Sequence, residues 1–96
     1  MSRSLSEVTR RAKRIYVALP VTLRAGSEGG MVVQANTIDY SERGLRVRSN
    51  VPIPIGKDVE VFVNKNGDQP KKYSVTWVHD PVQGRPCYEA GLVLEQ

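Results

Sequence analysis

The sequence predicts an all-β fold: a barrel or sandwich of roughly six short strands, the number a small closed barrel needs, with a basic, flexible arm at the N-terminal end. Two observations carry the fold class. Apolar and polar residues alternate in short runs, as at Val59, Val61 and Val63, which is the period of a half-buried strand. Clusters of Gly, Asn and Pro interrupt the runs at intervals of roughly ten residues, the spacing of turns in barrels and sandwiches. A third observation, the distribution of charge, sets the arm apart. The 96 residues hold 14 basic and 10 acidic side chains, a net charge of +4. Arg3, Arg10, Arg11, Lys13 and Arg14 stand against Glu7 alone in the first stretch, and the remainder balances. A basic arm on a neutral body suits a localised anionic partner better than a broad polyanion. We therefore divide the chain into an arm, residues 1–14, and a barrel, residues 15–96.

The arm opens on a polar stretch with Ser2, Ser4 and Ser6. A short helix over Ser6–Arg14 would place Arg10 and Arg14 on one face at i, i+4. An extended arm would present them equally well. Tyr16–Arg24 reads as the first strand, with Val17, Leu19, Val21 and Leu23 inward. Pro20 lacks a ladder donor and needs an edge or a bulge. Gly26–Gly30 is a hairpin loop, and Met31–Ile38 is the second strand.

That strand runs into Asp39-Tyr40-Ser41-Glu42-Arg43-Gly44. Asp39 and Ser41 are expected to bond nearby backbone N–H groups and fix a tight turn. Gly44 supplies either a positive φ or room for a close approach. The third strand, Gly44–Ser49, points Leu45 and Val47 inward and Arg46 and Arg48 outward. After the rigid Pro52–Gly56 connection comes the Val59–Val63 alternation, then the hairpin signal Asn66-Gly67. Tyr73, Val75 and Trp77 form the inward face of the fifth strand. Asp80–Pro86 is a loop, and Tyr88, Ala90, Leu92 and Leu94 form the last inward face. Six strands suffice to close a barrel and hide its edges.

Composition argues against several functions. No apolar run reaches the roughly 20 residues of a membrane span, and the N-terminus lacks the apolar segment of an export signal. Cys87 is the single cysteine, which fits a reducing cytoplasm. One His and one Cys are too few for a zinc site, so no metal is expected. His79 reads as a strand-end residue without chemistry, and Cys87 as a small, partly buried side chain. Neither a Ser/His/Asp set nor a carboxylate pair can be assembled, so no catalytic residue is assigned and the chain does not read as an enzyme.

Two motifs carry a resemblance. Arg10-x-x-x-Arg14 precedes Leu19-Pro20-Val21, and Asp39-x-Ser41-x-x-Gly44 precedes Leu45 and Val47. Together they resemble the paired signature of the PilZ domain, a bacterial receptor module for cyclic di-GMP. Pro54-Ile55-Gly56, Val75-Thr76-Trp77 and Tyr88-Glu89-Ala90-Gly91-Leu92 extend the likeness from Arg10 to Leu94. The resemblance implies a six-stranded split barrel. It also implies that Arg10 and Arg14, with Arg11 beside them, wrap the ligand from the arm, while Asp39, Ser41 and Gly44 hold the other side. Guanidinium suits such a ligand, because it binds phosphate bidentately, pairs with guanine O6 and N7, and stacks on purines. Asp39 would accept from a guanine N–H or orient an arginine, Ser41 would donate to a ligand oxygen, and Gly44 would admit a base close to the backbone. Trp77 falls on the inward alternation and belongs first to the core, with an apolar edge of the site as its lesser role.

The implied partners are cyclic di-GMP, with no further cofactor, and a downstream protein. Many relatives carry a helix after the last strand, for which a chain ending at Gln96 leaves no room. Two other readings compete. One is a barrel binding single-stranded nucleic acid, disfavoured by only six aromatic side chains (four Tyr, one Phe, one Trp), mostly inward. The other is a ligand-independent PilZ-like adaptor, disfavoured by the intact motifs.

Overall fold

The computed structural model describes residues 13–26, 30–63 and 69–95. Its strands are β1 (Pro20–Arg24), β2 (Val32–Tyr40), β3 (Gly44–Ser49), β4 (Gly56–Val63), β5 (Lys71–His79) and β6 (Tyr88–Leu94). All neighbours pair antiparallel in the order β1-β2-β3-β6-β5-β4, and β1 pairs with β4 from Val21↔Val63 to Arg24↔Glu60 to close the barrel. Closure gives every strand two partners and leaves no edge to template aggregation. No helix occurs among the described residues.

The alternation read from the sequence fills the interior. Val21, Leu23, Val33, Ala35, Leu45, Val47, Val59, Val61, Val75, Ala90 and Leu92 are all buried, and Ile53 joins them from the β3–β4 connection. The Tyr73 ring is buried too, and that burial pushes its phenol pKa up. Truncating a fully buried member such as Leu92 to Ala costs about 2–5 kcal/mol by lost transfer energy and the cavity left behind.

Strand boundaries differ from expectation at the start of β1. The strand begins at Pro20, the first-residue position where a missing N–H costs no ladder bond. Val17 is exposed, not inward. The preceding segment nevertheless stays against β2. Ile15 and Tyr40 exchange two backbone hydrogen bonds of 2.8 and 3.0 Å, and the Thr37 N–H donates to the Leu19 carbonyl at 2.9 Å. The Thr37 hydroxyl oxygen accepts from the Leu19 N–H at 2.9 Å and its hydrogen goes to the Val17 carbonyl. Residues 16–18 thus lie between these two contacts, opposite residues 38 and 39, and all three are exposed.

Two bulges decide what the outer face presents. In β2, Thr37 faces Val47 while Asp39 faces Arg46, so Ile38 is an extra residue. In β5, Val75 faces Leu92 while Trp77 faces Gly91, so Thr76 is extra. Because side chains alternate with period two, one inserted residue sends everything after it to the other face. Asp39 and Trp77, both in phase with the core by sequence, are turned out of the barrel. A third bulge lies in β4 between Gly56 and Val59, where Asp58 has φ 59°. Glu95 supports it. Its carboxylate accepts from the Asp58 N–H at 2.7 Å and the Ser74 hydroxyl at 2.9 Å, and these bonds hold it below the usual carboxylate pKa.

Candidate functional site

The two bulges create one register row across four adjacent strands: Asp39 on β2, Arg46 on β3, Gly91 on β6 and Trp77 on β5. With strands about 4.8 Å apart, the row spans roughly 15 Å of the outer face.

Asp39 anchors one end. It stands in β2 and not in the expected turn, and its carboxylate bonds two arginines where backbone N–H groups were expected. Arg14 Nε donates to Oδ1 at 2.8 Å, with Nη2 2.7 Å from the same oxygen. Arg46 Nε donates to Oδ2 at 2.9 Å, and its Nη2 pairs with that oxygen as well. The Asp39 side chain is 0% exposed, whereas Arg14 and Arg46 are 36% and 38% exposed. Burial by itself favours the neutral acid. The hydrogen bonds from Arg46 and Arg14, with their charges, outweigh it and hold the carboxyl below its ordinary range. The same bond to Asp39 raises Arg46 against the effect of its own burial. At neutral pH the cluster is one carboxylate between two guanidinium groups and keeps a net positive charge.

The Ser41 turn follows directly. The Ser41 N–H donates to the Gly44 carbonyl at 2.8 Å, and the Leu94 N–H donates to the Arg43 carbonyl at 2.8 Å. The Arg43 N–H reaches the Ser41 hydroxyl oxygen at 3.4 Å, so this hydroxyl also serves the turn. Of the two roles open to Gly44, positive φ is not the one used. A Cβ there would collide with the Leu92 carbonyl oxygen, a backbone atom of β6 that cannot swing aside. The close approach used within the fold is that of β6, and Gly44 also lines the cleft described below.

Trp77 closes the other end, and its indole lies across Gly91. A Cβ at position 91 would fall 2.8 Å from Cζ2 and closer still to Nε1, so the ring needs that glycine. The core role expected of Trp77 gives way to a half-buried surface ring, because the bulge at Thr76 reverses its direction. The His79 ring packs against it at 4.6 Å, tilted by 37°.

Above this row opens a cleft of about 440 Å³. Three arginines line it, Arg14, Arg43 and Arg46, and Trp77, Thr76 and Val93 add an aromatic and aliphatic part. Ser41 and Gly44 complete the lining from the turn. Such a cleft suits a ligand that is anionic along one side and flat and aromatic along the other.

The sequence from residue 9 to residue 95 matches the family model of the PilZ domain. The chain belongs to the PilZ domain family. No curated protein matches it. PilZ domains are in general receptor modules for cyclic di-GMP and not enzymes. In this PilZ domain, Arg14 of the arm motif meets Asp39, Ser41 and Gly44 of the turn motif around one cleft, with Asp39 beneath it as the shared anchor. Arg10 and Arg11 lie outside the described residues. Sequence reasoning passed over Arg43, Arg46 and Gly91. Arg46 was legible as outward, but the link to Asp39 depends on the bulge. No helix among the described residues is long and apolar enough to cross a membrane.

Proposed function

We propose that this PilZ domain binds cyclic di-GMP in the cleft between the arm and the Asp39–Trp77 row. The observation that carries the reading is the convergence of Arg14, Arg43 and Arg46 beside the Trp77 ring. Two phosphates call for guanidinium forks, and two guanines call for an aromatic face and for donors toward O6 and N7. Arg10 and Arg11 complete the wrap from the arm, Ser41 donates to a ligand oxygen, and residues 1–14 act as the closing element on the barrel of residues 15–96. Gly44, which lines the cleft, lets β6 approach and admits a base close to the backbone. Closing of the arm passes the signal to a partner protein in the cytoplasm, with no further cofactor. Titration calorimetry with cyclic di-GMP, against cyclic AMP and GTP, tests this. Binding well ahead of both mononucleotides is expected, and no heat at high micromolar ligand overturns it. Single-stranded oligonucleotides are expected to bind weakly and to lose affinity steeply with salt, since one aromatic ring is no stacking platform.

A further inference from the structure

Arg46 belongs to neither motif, yet it is the most firmly placed cation of the cleft. Arg14 sits on the arm and Arg43 on a turn. Arg46 stands within β3, paired on one side with Asp39 of β2 and on the other with Gly91 of β6. Its Nε–H and one Nη2–H are taken up by a buried carboxylate oxygen. Three of its five N–H donors have no hydrogen-bond partner among the described residues. That side chain is 38% exposed and lines the cleft. Its neighbour in the row has no side chain, and the Trp77 indole lies across that gap.

We infer that Arg46 is the guanine-selecting residue of this cleft: it donates to O6 and N7 of a base lying against Trp77. The inference rests on the cyclic di-GMP reading above. The chemistry is one of donor count. Guanine turns two acceptors, O6 and N7, toward a guanidinium edge, whereas adenine replaces O6 with an amino donor that meets the Arg46 donors head-on. An arginine already oriented by a carboxylate loses little freedom in reading that edge, so discrimination comes at low entropic cost.

The test compares cyclic di-GMP with cyclic di-AMP on the parent, Arg46→Lys and Arg46→Gln, with thermal melting to follow the fold. Arg46→Lys keeps a positive charge beside Asp39 but loses the planar pair of donors, so the preference for cyclic di-GMP is expected to shrink roughly tenfold or more. Arg46→Gln offers one donor and one acceptor, the pattern that suits adenine, and is expected to shift the ratio further toward cyclic di-AMP. If Arg46 only secures Asp39, both ligands weaken together. A ratio unchanged within about twofold in the folded variants then overturns the inference while the receptor reading stands. A parent that binds neither dinucleotide overturns the receptor reading and this inference with it.

Discussion

Two ion-paired groups on the outside of this barrel, one pair and one cluster of three side chains, use the same chemistry and do different things. On the β1–β4 side, Arg24 and Glu60 are direct cross-strand neighbours and form one pair, with side chains 43% and 25% exposed. Arg24 also lies over the Phe62 ring, 5.2 Å from its centre, so both its charge and its flat face are occupied by its own strands. On the opposite side Asp39 is fully buried and divided between an arginine of its neighbouring strand and one 25 residues earlier. There the aromatic ring, Trp77, is separated from Arg46 by a glycine, and a cleft lined by Arg14 and the sheet remains. A local, exposed pair decorates a sheet. A buried carboxylate gathering distant cations organises a site.

The sharpest way to break that contrast is to remove each acid. Asp39→Ala leaves two guanidinium groups facing each other without their shared anion. The arginines can still reach water, so we expect a loss of about 1–3 kcal/mol, less than for a fully buried pair. Thermal melting should show this as a drop of several degrees in the midpoint, since about 1 kcal/mol shifts a domain of this size by roughly 4–8 °C. Glu60→Ala should stay within about 1 kcal/mol. Equal losses would show that the two groups differ only in appearance. Binding divides the two sides in the same way. Arg14→Ala should weaken cyclic di-GMP roughly ten- to a hundredfold, the worth of one charge-assisted bidentate contact, while Arg24→Ala leaves it unchanged. Arg14→Lys should rescue little, because the fork is lost.

Trp77 allows a smaller, spectroscopic test. It is the single tryptophan, so its emission reports the cleft directly. Ligand should change that emission, and Trp77→Leu should weaken binding by roughly fivefold or more through lost stacking. Phe62→Leu, across the barrel, should do neither. The smallest effect concerns acid. Asp39 is held below its ordinary pKa, so its contribution is fully present above the unfolded value of about 3.9 and fades as pH falls through the lower folded value. The stability difference between the parent and Asp39→Asn should therefore be flat from about pH 5 to 8 and shrink below about pH 4. A difference that changed near neutrality would assign the titration to another group.

How much of this could be read beforehand depends on whether a feature obeys the period of two. Val21, Val47, Val61 and Leu92 obey it, and both the barrel and its core follow. Asp39 and Trp77 break it, because single inserted residues at Ile38 and Thr76 carry no turn chemistry to announce them. One signal was available. Unbroken alternation through Val33, Ala35, Thr37 and Asp39 would have put a carboxylate into an apolar core, which is improbable without a partner. The same alternation through Trp77 would have turned His79 inward and Val78 outward. Either conflict asked for a bulge. The motifs placed Arg14, Ser41 and Gly44 near one another but were silent on Arg46, whose part becomes visible only when Asp39 is counted as its cross-strand neighbour. For Gly44, the choice between positive φ and close approach needed the position of β6.

The Ile15–Tyr40 bridge also has a mechanical side. Tension on the chain ahead of Lys13 reaches the barrel first through two backbone hydrogen bonds and the grip of Arg14 on Asp39. The segment lies antiparallel to β2, so a pull away from the sheet loads these contacts one after another, as in peeling. The strands beyond Pro20 form a closed hoop in which each is flanked by two others, and load there is shared. A pull on the chain at Lys13 would therefore load the Arg14–Asp39 contact before the ladders of the barrel.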